Sequence, residues 1–181
     1  MSRVLGQAAR HSLVVMGTAG AGKTLVGRQL AAALGTPFIE GDDFHPAANI
    51  AKMASGTPLT DDDRRGWLQS LADELRAARA AGSGAVLSCS ALRRRYRDVL
   101  RSGDGTVRFV FLAVTPTLLH DRVAARAGHF MPVSLIESQL ATLEPPDADE
   151  DAWTMDADGT PDSIVAAILA RGADGIHEPL P

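Results

Sequence analysis

The sequence predicts an α/β fold: a three-layer sandwich with helices on both faces of a mostly parallel five-stranded sheet. Three observations predict it. Strand-like and helix-like segments alternate along the chain. The clearest strands, residues 13–16 and, Arg108 apart, 107–114, are apolar at consecutive positions, as strands covered on both faces are. The length of 181 residues, with 45% hydrophobic and 22% charged residues, suits one globular domain.

Taken in order, residues 12–16 (SLVVM) form the first expected strand, which stops at Gly17. A helical pattern starts at Lys23, with Val26, Leu30, Ala33 and Leu34 on one face and Gly35 as terminator. Residues 37–39 read as the second strand, running into Glu40-Gly41-Asp42-Asp43. A short helix and a turn at Ser55-Gly56-Thr57-Pro58 fill the interval from 46 to 60. Thr60 has the character of an N-cap, because Asp61, Asp62 and Asp63 follow where the helix dipole favours acid. That helix is expected to bury Trp67, Leu68, Leu71, Leu75 and Ala78 and to end at Gly82-Ser83-Gly84.

Residues 85–89 are the third strand, 92–100 a helix and 107–114 the fourth strand. A helix from Thr115 or Pro116 to Ala127, a break over 128–132 and a helix over 133–143 come next. Residues 152–155 make the last strand, and 161–171 a closing helix with Ile164, Val165, Ile168 and Leu169 inward. A single domain over 1–171 and a loose tail over 172–181 are therefore expected.

Composition narrows the function. Eighteen basic residues against 22 acidic ones give a net charge of −4, which argues against a nucleic-acid-coating surface. No apolar run reaches the roughly 20 residues that cross a bilayer, and residues 1–11 lack the apolar core of a signal peptide. The expectation is a cytoplasmic protein with no nucleic-acid or membrane partner. One cysteine, Cys89, excludes an internal disulfide and a cysteine-built zinc site; it reads as an inert strand residue. Only Lys23 and Lys52 are lysines in a chain that otherwise writes its positive charge as arginine, and a compact ammonium is not interchangeable with a planar fork.

Lys23 lies in Gly17-Thr18-Ala19-Gly20-Ala21-Gly22-Lys23-Thr24, which satisfies G-x-x-x-x-G-K-[ST] between an expected strand and an expected helix. Small residues at 18, 19 and 21 let successive backbone N–H groups converge on phosphate oxygens, beside the positive end of the helix. Lys23 is then placed for the β- and γ-phosphates, and the Thr24 hydroxyl for Mg²⁺. A nucleoside triphosphate is the expected ligand. The chain lacks an Asn-Lys-x-Asp guanine reader, and residues 86–90 end in serine where motor ATPases place an acid. A small-molecule kinase fits better than a nucleotide switch or a motor. Mg²⁺ would then rest on Thr24 and a carboxylate after the second strand.

Three further stretches carry a resemblance. They are Gly41-Asp42-Asp43-Phe44-His45-Pro46, Asn49-Ile50-Ala51-Lys52-Met53-Ala54-Ser55-Gly56 and Pro58-Leu59-Thr60-Asp61-Asp62-Asp63-Arg64. With Cys89-Ser90-Ala91-Leu92, Tyr96-Arg97-Asp98 and Ala125-Arg126-Ala127-Gly128-His129-Phe130, they resemble the gluconokinases of the shikimate-kinase-like P-loop group. The resemblance spans about residues 13–158. It implies a nucleoside-monophosphate-kinase-like fold with a lid (about 122–134), an acceptor-binding segment (about 41–66) and a homodimer. It also implies transfer of phosphate from ATP to the 6-hydroxyl of D-gluconate. The residues by themselves leave open a shikimate-like acid or a nucleoside monophosphate as acceptor.

The site expected on these grounds has three catalytic groups: Lys23, Asp42 and Arg126. Asp42 follows the second strand and can take a proton from the attacking hydroxyl; the family pattern prefers it to Asp43. Arg122 and Arg126, four apart on one helix face, are expected to neutralise phosphate charge from the lid. His45, Lys52, Arg64, Ser90 and Arg97 join Asp42 as expected acceptor contacts. Blander roles stay open: a solvated helix face for Lys52 and Arg97, and an ion-pair partner of the Asp61–Asp63 run for Arg64. Gln139 reads as an exposed helix residue, and Trp67 and Trp153 as core.

Overall fold

Strands β1 (Leu13–Met16), β2 (Phe38–Glu40), β3 (Val86–Ser88), β4 (Arg108–Ala113) and β5 (Ala152–Asp156) form one sheet in the order β2-β3-β1-β4-β5. Every pairing is parallel: Val14 lies opposite Leu87 on β3 and Phe109 on β4. The computed structural model describes residues 11–125 and 133–174. Its helices are α1 (Lys23–Leu34), α2 (Ala47–Ala54), α3 (Asp61–Ala80), α4 (Arg94–Gly103), α5 (Pro116–Ala124), α6 (Val133–Thr142) and α7 (Pro161–Asp174).

The unbroken apolar character of β1 has a simple cause. Its side chains alternate between two cores, and neither face meets water. Leu13 and Val15 pack with Val26 and Leu30 of α1 and Ile164 and Ile168 of α7. Val14 and Met16 pack with Trp67, Leu71 and Leu75 of α3 and Tyr96 and Leu100 of α4. Leu30, Leu71, Leu87 and Leu100 are wholly buried, and each such side chain contributes roughly 1.5–3 kcal/mol.

Most helix signals operate as read. Gly35 closes α1 in the left-handed conformation at φ 67°. Thr60 caps α3 through Asp63 N–H while the Asp63 carboxylate accepts the Thr60 N–H, completing a capping box. Several boundaries differ. The second strand starts at Phe38 and passes into a 3₁₀ helix, Gly41–Phe44. The helix after β3 begins at Arg94 because residues 90–93 form an elbow, with Ala91 at φ 44° and Arg93 extended. On α3, Ala72 is buried and Ala78 only half-buried, and α7 runs past Arg171 to Asp174.

The connection leaving β1 runs to one side of the sheet, to β2, whereas the connection leaving its neighbour β3 runs to the other, to β4, so the direction switches between β1 and β3. In open α/β sheets, ligands bind beyond the carboxyl ends of the strands at such a reversal. Three segments meet there: the loop over 17–24, the Gly41–Phe44 turn and the elbow over 90–93.

Candidate active site

The loop after β1 shows why its glycines stand where they do. Gly17, Gly20 and Gly22 adopt φ of 144°, 84° and 96°, a region that side-chain-bearing residues rarely enter. Gly17 N–H donates to Ser90 O (3.3 Å) and Ala21 N–H to Thr18 O (3.2 Å), which fixes the curl of the loop. Gly22 is the N-cap of α1 and the first turn carries no acidic residue, so the helix presents an uncompensated positive end. Lys23 Nζ donates to Thr18 O at 2.9 Å, which folds the ammonium back over the loop.

Thr24 Oγ1 donates to Glu40 Oε2 at 2.7 Å, bringing the last residue of β2 to the start of α1. A hydroxyl and a carboxylate are hard oxygen donors of the kind Mg²⁺ uses when phosphate oxygens and water complete its shell. Among the described residues no group of three or more His, Cys, Asp or Glu converges on one point. Two protein oxygens therefore fit Mg²⁺ better than a metal that needs an all-protein cage. The carboxylate that the fold brings to Thr24 is that of Glu40, the last residue of β2, whose only sequence signal was its position at a strand end.

The opposite wall is built on the Gly41–Phe44 turn. A Cβ on Gly41 would lie 2.3 Å from Ser88 O, so only glycine lets the turn sit against β3. Trp67 of α3 donates from Nε1 to Gly41 O at 2.7 Å, and its indole stacks on His45 with ring centroids 4.1 Å apart. Trp67 is buried, as expected of a core residue, but it also braces the turn that bears Asp42. The Asp42 side chain is 74% exposed, whereas His45, whose Nε2 lies 3.9 Å from Asp42 Oδ1, is 4% exposed. Burial lowers the pKa of His45; the nearby Asp42 charge opposes this shift and Arg64 adds to it. The imidazole is therefore neutral at pH 7, able to donate through one nitrogen and accept through the other.

These walls enclose a cleft of about 1080 Å³. Ala19, Gly20, Gly22, Lys23 and Thr24 face it from the loop, and Asp42, His45, Arg64 and Ser90 from the acceptor side. Arg64 is held by hydrogen bonds to Leu59 O and to the Tyr96 hydroxyl (3.4 Å), not by the neighbouring aspartates. Arg28, one helical turn beyond Thr24, also faces the cleft. The periodicity of α1 could have flagged it, since it lies four residues after Thr24.

Three expected contacts, Lys52, Arg122 and Arg97, resolve differently. Lys52 does not line the cleft; Nζ bonds Asp63 Oδ2 at 2.7 Å and ties α2 to the cap of α3. That bond, with those from Thr60, holds the Asp63 carboxyl down at about 2. Arg122 donates to Ala21 O and Ala157 O, so it props the loop from behind, while Arg126 lies outside the described residues.

Arg97 is the clearest correction. It is wholly buried and forks onto Glu150 through Nε and Nη2, both at 2.6 Å, away from the cleft. Its Nη1 donates to Ala91 O and Glu144 O, both at 3.0 Å, which secures the left-handed residue next to Ser90. The amphipathic pattern could not separate this arginine from Arg93, Arg94 and Arg95, because its partner lies 53 residues away.

Glu150 shows the same balance from the acid side. Burial alone would raise its pKa, but Arg97 and Arg101 overcome that and hold it at about 2 against an ordinary 4.5. The folded state thus binds fewer protons than the unfolded chain between these values, and this contribution is lost as pH falls through them. Glu150→Gln, which leaves the buried Arg97 guanidinium without its anion while Arg101 keeps Asp98, is expected to cost about 3–5 kcal/mol at pH 7. Its stability should also decline less than that of the natural chain between pH 4.5 and 2. Urea unfolding at pH 7 and across that range measures both; an unchanged midpoint at pH 7 would show that the buried network is dispensable.

Comparison with known proteins agrees with this geometry. A family model described as an AAA domain matches residues 13–146. A solved gluconokinase from Sinorhizobium meliloti 1021 superposes with a TM-score of 0.83 at 44% identity, over 93% of this chain and 97% of that one. A solved sugar kinase from Janibacter sp. HTCC2649 superposes with a TM-score of 0.85 at 44% identity, over 88% of this chain and 92% of that one. The gluconokinase of Gluconobacter oxydans (strain 621H) is 49% identical over 157 residues, 87% of this chain and 88% of its own length. Identity of that extent, over a cleft with a complete phosphate loop and a facing carboxylate, means that the chain belongs to the gluconokinase family.

Proposed function

We propose that this protein phosphorylates D-gluconate at its 6-hydroxyl with ATP, giving 6-phosphogluconate and ADP. The observation that carries the reading is the opposition, across one cleft, of the phosphate loop and the acidic turn at Asp42. In this reading the loop amides and Lys23 hold the β- and γ-phosphates. Thr24 and Glu40 would hold Mg²⁺, which would supply charge neutralisation at the phosphate oxygens.

Asp42 accepts the proton of the 6-hydroxyl as that oxygen attacks the γ-phosphorus in line with the departing ADP oxygen. Neutral His45 and the Ser90 hydroxyl position sugar hydroxyls, and Arg64 offers its fork to the gluconate carboxylate. Trp67 sets the height of the Asp42 turn against β3. The lid over about 122–134, with Arg126 neutralising charge on the transferring group, belongs to the same proposal. So do the single domain and the homodimer, whose state sedimentation would establish.

A coupled ADP-release assay across gluconate, shikimate, glycerate and nucleoside monophosphates tests the acceptor. Gluconate is expected to give the highest kcat/KM, with turnover that vanishes on removal of Mg²⁺. Turnover with nucleoside monophosphates alone would overturn the assignment, and hydrolysis without acceptor dependence would point to a nucleotide switch.

A further inference from the structure

One contact at the phosphate loop engages an amide N–H that a bound triphosphate would also use. Gln139, on α6, accepts a hydrogen bond at Oε1 from the Ala19 N–H at 2.7 Å, across 120 residues of sequence. Both residues face the cleft, as do Leu135, Ile136, Ser138 and Thr142 of the same helix. An amide N–H of a phosphate loop serves an anionic oxygen. Here the neutral carboxamide oxygen of Gln139 takes that place, at a distance a phosphate oxygen would adopt.

We infer that Gln139 is a displaceable latch on the phosphate loop, which the triphosphate must release before the Ala19 N–H can engage it. This rests on the reading that ATP occupies the loop. The latch satisfies a loop donor and ties α6 to the loop. Triphosphate binding exchanges a neutral acceptor for a charged one, which forms the stronger hydrogen bond. The exchange breaks the tie, so filling of the nucleotide site is felt along the α6 wall of the cleft.

Two substitutions test this against a purely structural role, with binding of a non-hydrolysable ATP analogue measured by calorimetry in Mg²⁺ buffer. Gln139→Met keeps the length and helix propensity of the side chain but removes the acceptor. It is expected to bind the analogue about fivefold more tightly, the equivalent of ~1 kcal/mol for one hydrogen bond no longer broken. Adenosine, which lacks phosphate, should bind both proteins equally.

Gln139→Glu keeps the acceptor and adds a negative charge, and is expected to bind the analogue at least tenfold more weakly. An affinity unchanged or weakened in Gln139→Met, with its melting temperature intact, overturns the latch. So does an unchanged affinity in Gln139→Glu, should the methionine variant fail to fold. If the natural chain itself does not bind the analogue, the nucleotide reading falls and the latch with it; failure of the latch alone leaves natural binding intact.

Discussion

Lys23→Ala is expected to lower kcat by about 10²–10³-fold, the range for removing one preorganised charge or donor aimed at the transition state. The fold should survive the change. The curl of the loop rests on Gly17 N–H to Ser90 O, on Ala21 N–H to Thr18 O and on glycines in the left-handed region; the ammonium shares the Thr18 carbonyl, and its removal leaves these three supports in place. On the proposed mechanism, the change removes the charge that follows electron density as it shifts from the γ-phosphoryl group to the ADP oxygen. Arginine at this position should rescue little, because a planar fork does not fill the place of a compact ammonium folded over Thr18 O. The coupled assay with a parallel thermal melt checks both halves of the expectation. Turnover at the natural rate in a folded Lys23→Ala variant would remove the loop from the mechanism.

The second large effect concerns the other wall. Asp42→Asn preserves size and hydrogen bonding but cannot take a proton, and a general base is worth about 10²–10⁴-fold in rate. We expect kcat to fall within that range while KM for ATP moves less than about twofold, the nucleotide being held by the loop and not by the turn. The turn should keep its place in the variant: Gly41 lies tight against Ser88 O, and Trp67 donates to Gly41 O without reference to the aspartate side chain. A variant with raised KM for gluconate and unchanged kcat would make Asp42 a binding residue and leave the proton acceptor to be found elsewhere.

These two groups were legible to different degrees, for a physical reason. The phosphate loop is a local object. Eight consecutive residues carry its glycines, its lysine and its hydroxyl, and the flanking strand and helix are recognisable from their own periodicity. Asp42 was legible as a residue just past a strand, but Asp43 beside it had equal local standing until family resemblance favoured Asp42. The structure adds the reason for the local geometry, since a side chain at position 41 would collide with the Ser88 carbonyl of β3 and only glycine fits there. Arg97 and Lys52 show the converse. Each satisfied the description of an anion-binding residue, and each is committed to a carboxylate that no local pattern reveals, Glu150 and Asp63.

The sequence by itself determined the alternation of strand and helix, the doubly covered parallel sheet, the phosphate loop and the family. Each of these is written in residues adjacent in the chain or one helical turn apart, where steric preference and hydrophobic period act directly. Only the tertiary structure decided which charges are spent inside the protein and which face the cleft. It also revealed that Glu40 meets Thr24, that Trp67 braces the Asp42 turn and that Gln139 reaches Ala19. Such pairs form because packing brings distant segments together, and a side chain near the end of a strand or helix bonds whatever partner the crossing of those elements leaves within about 3 Å.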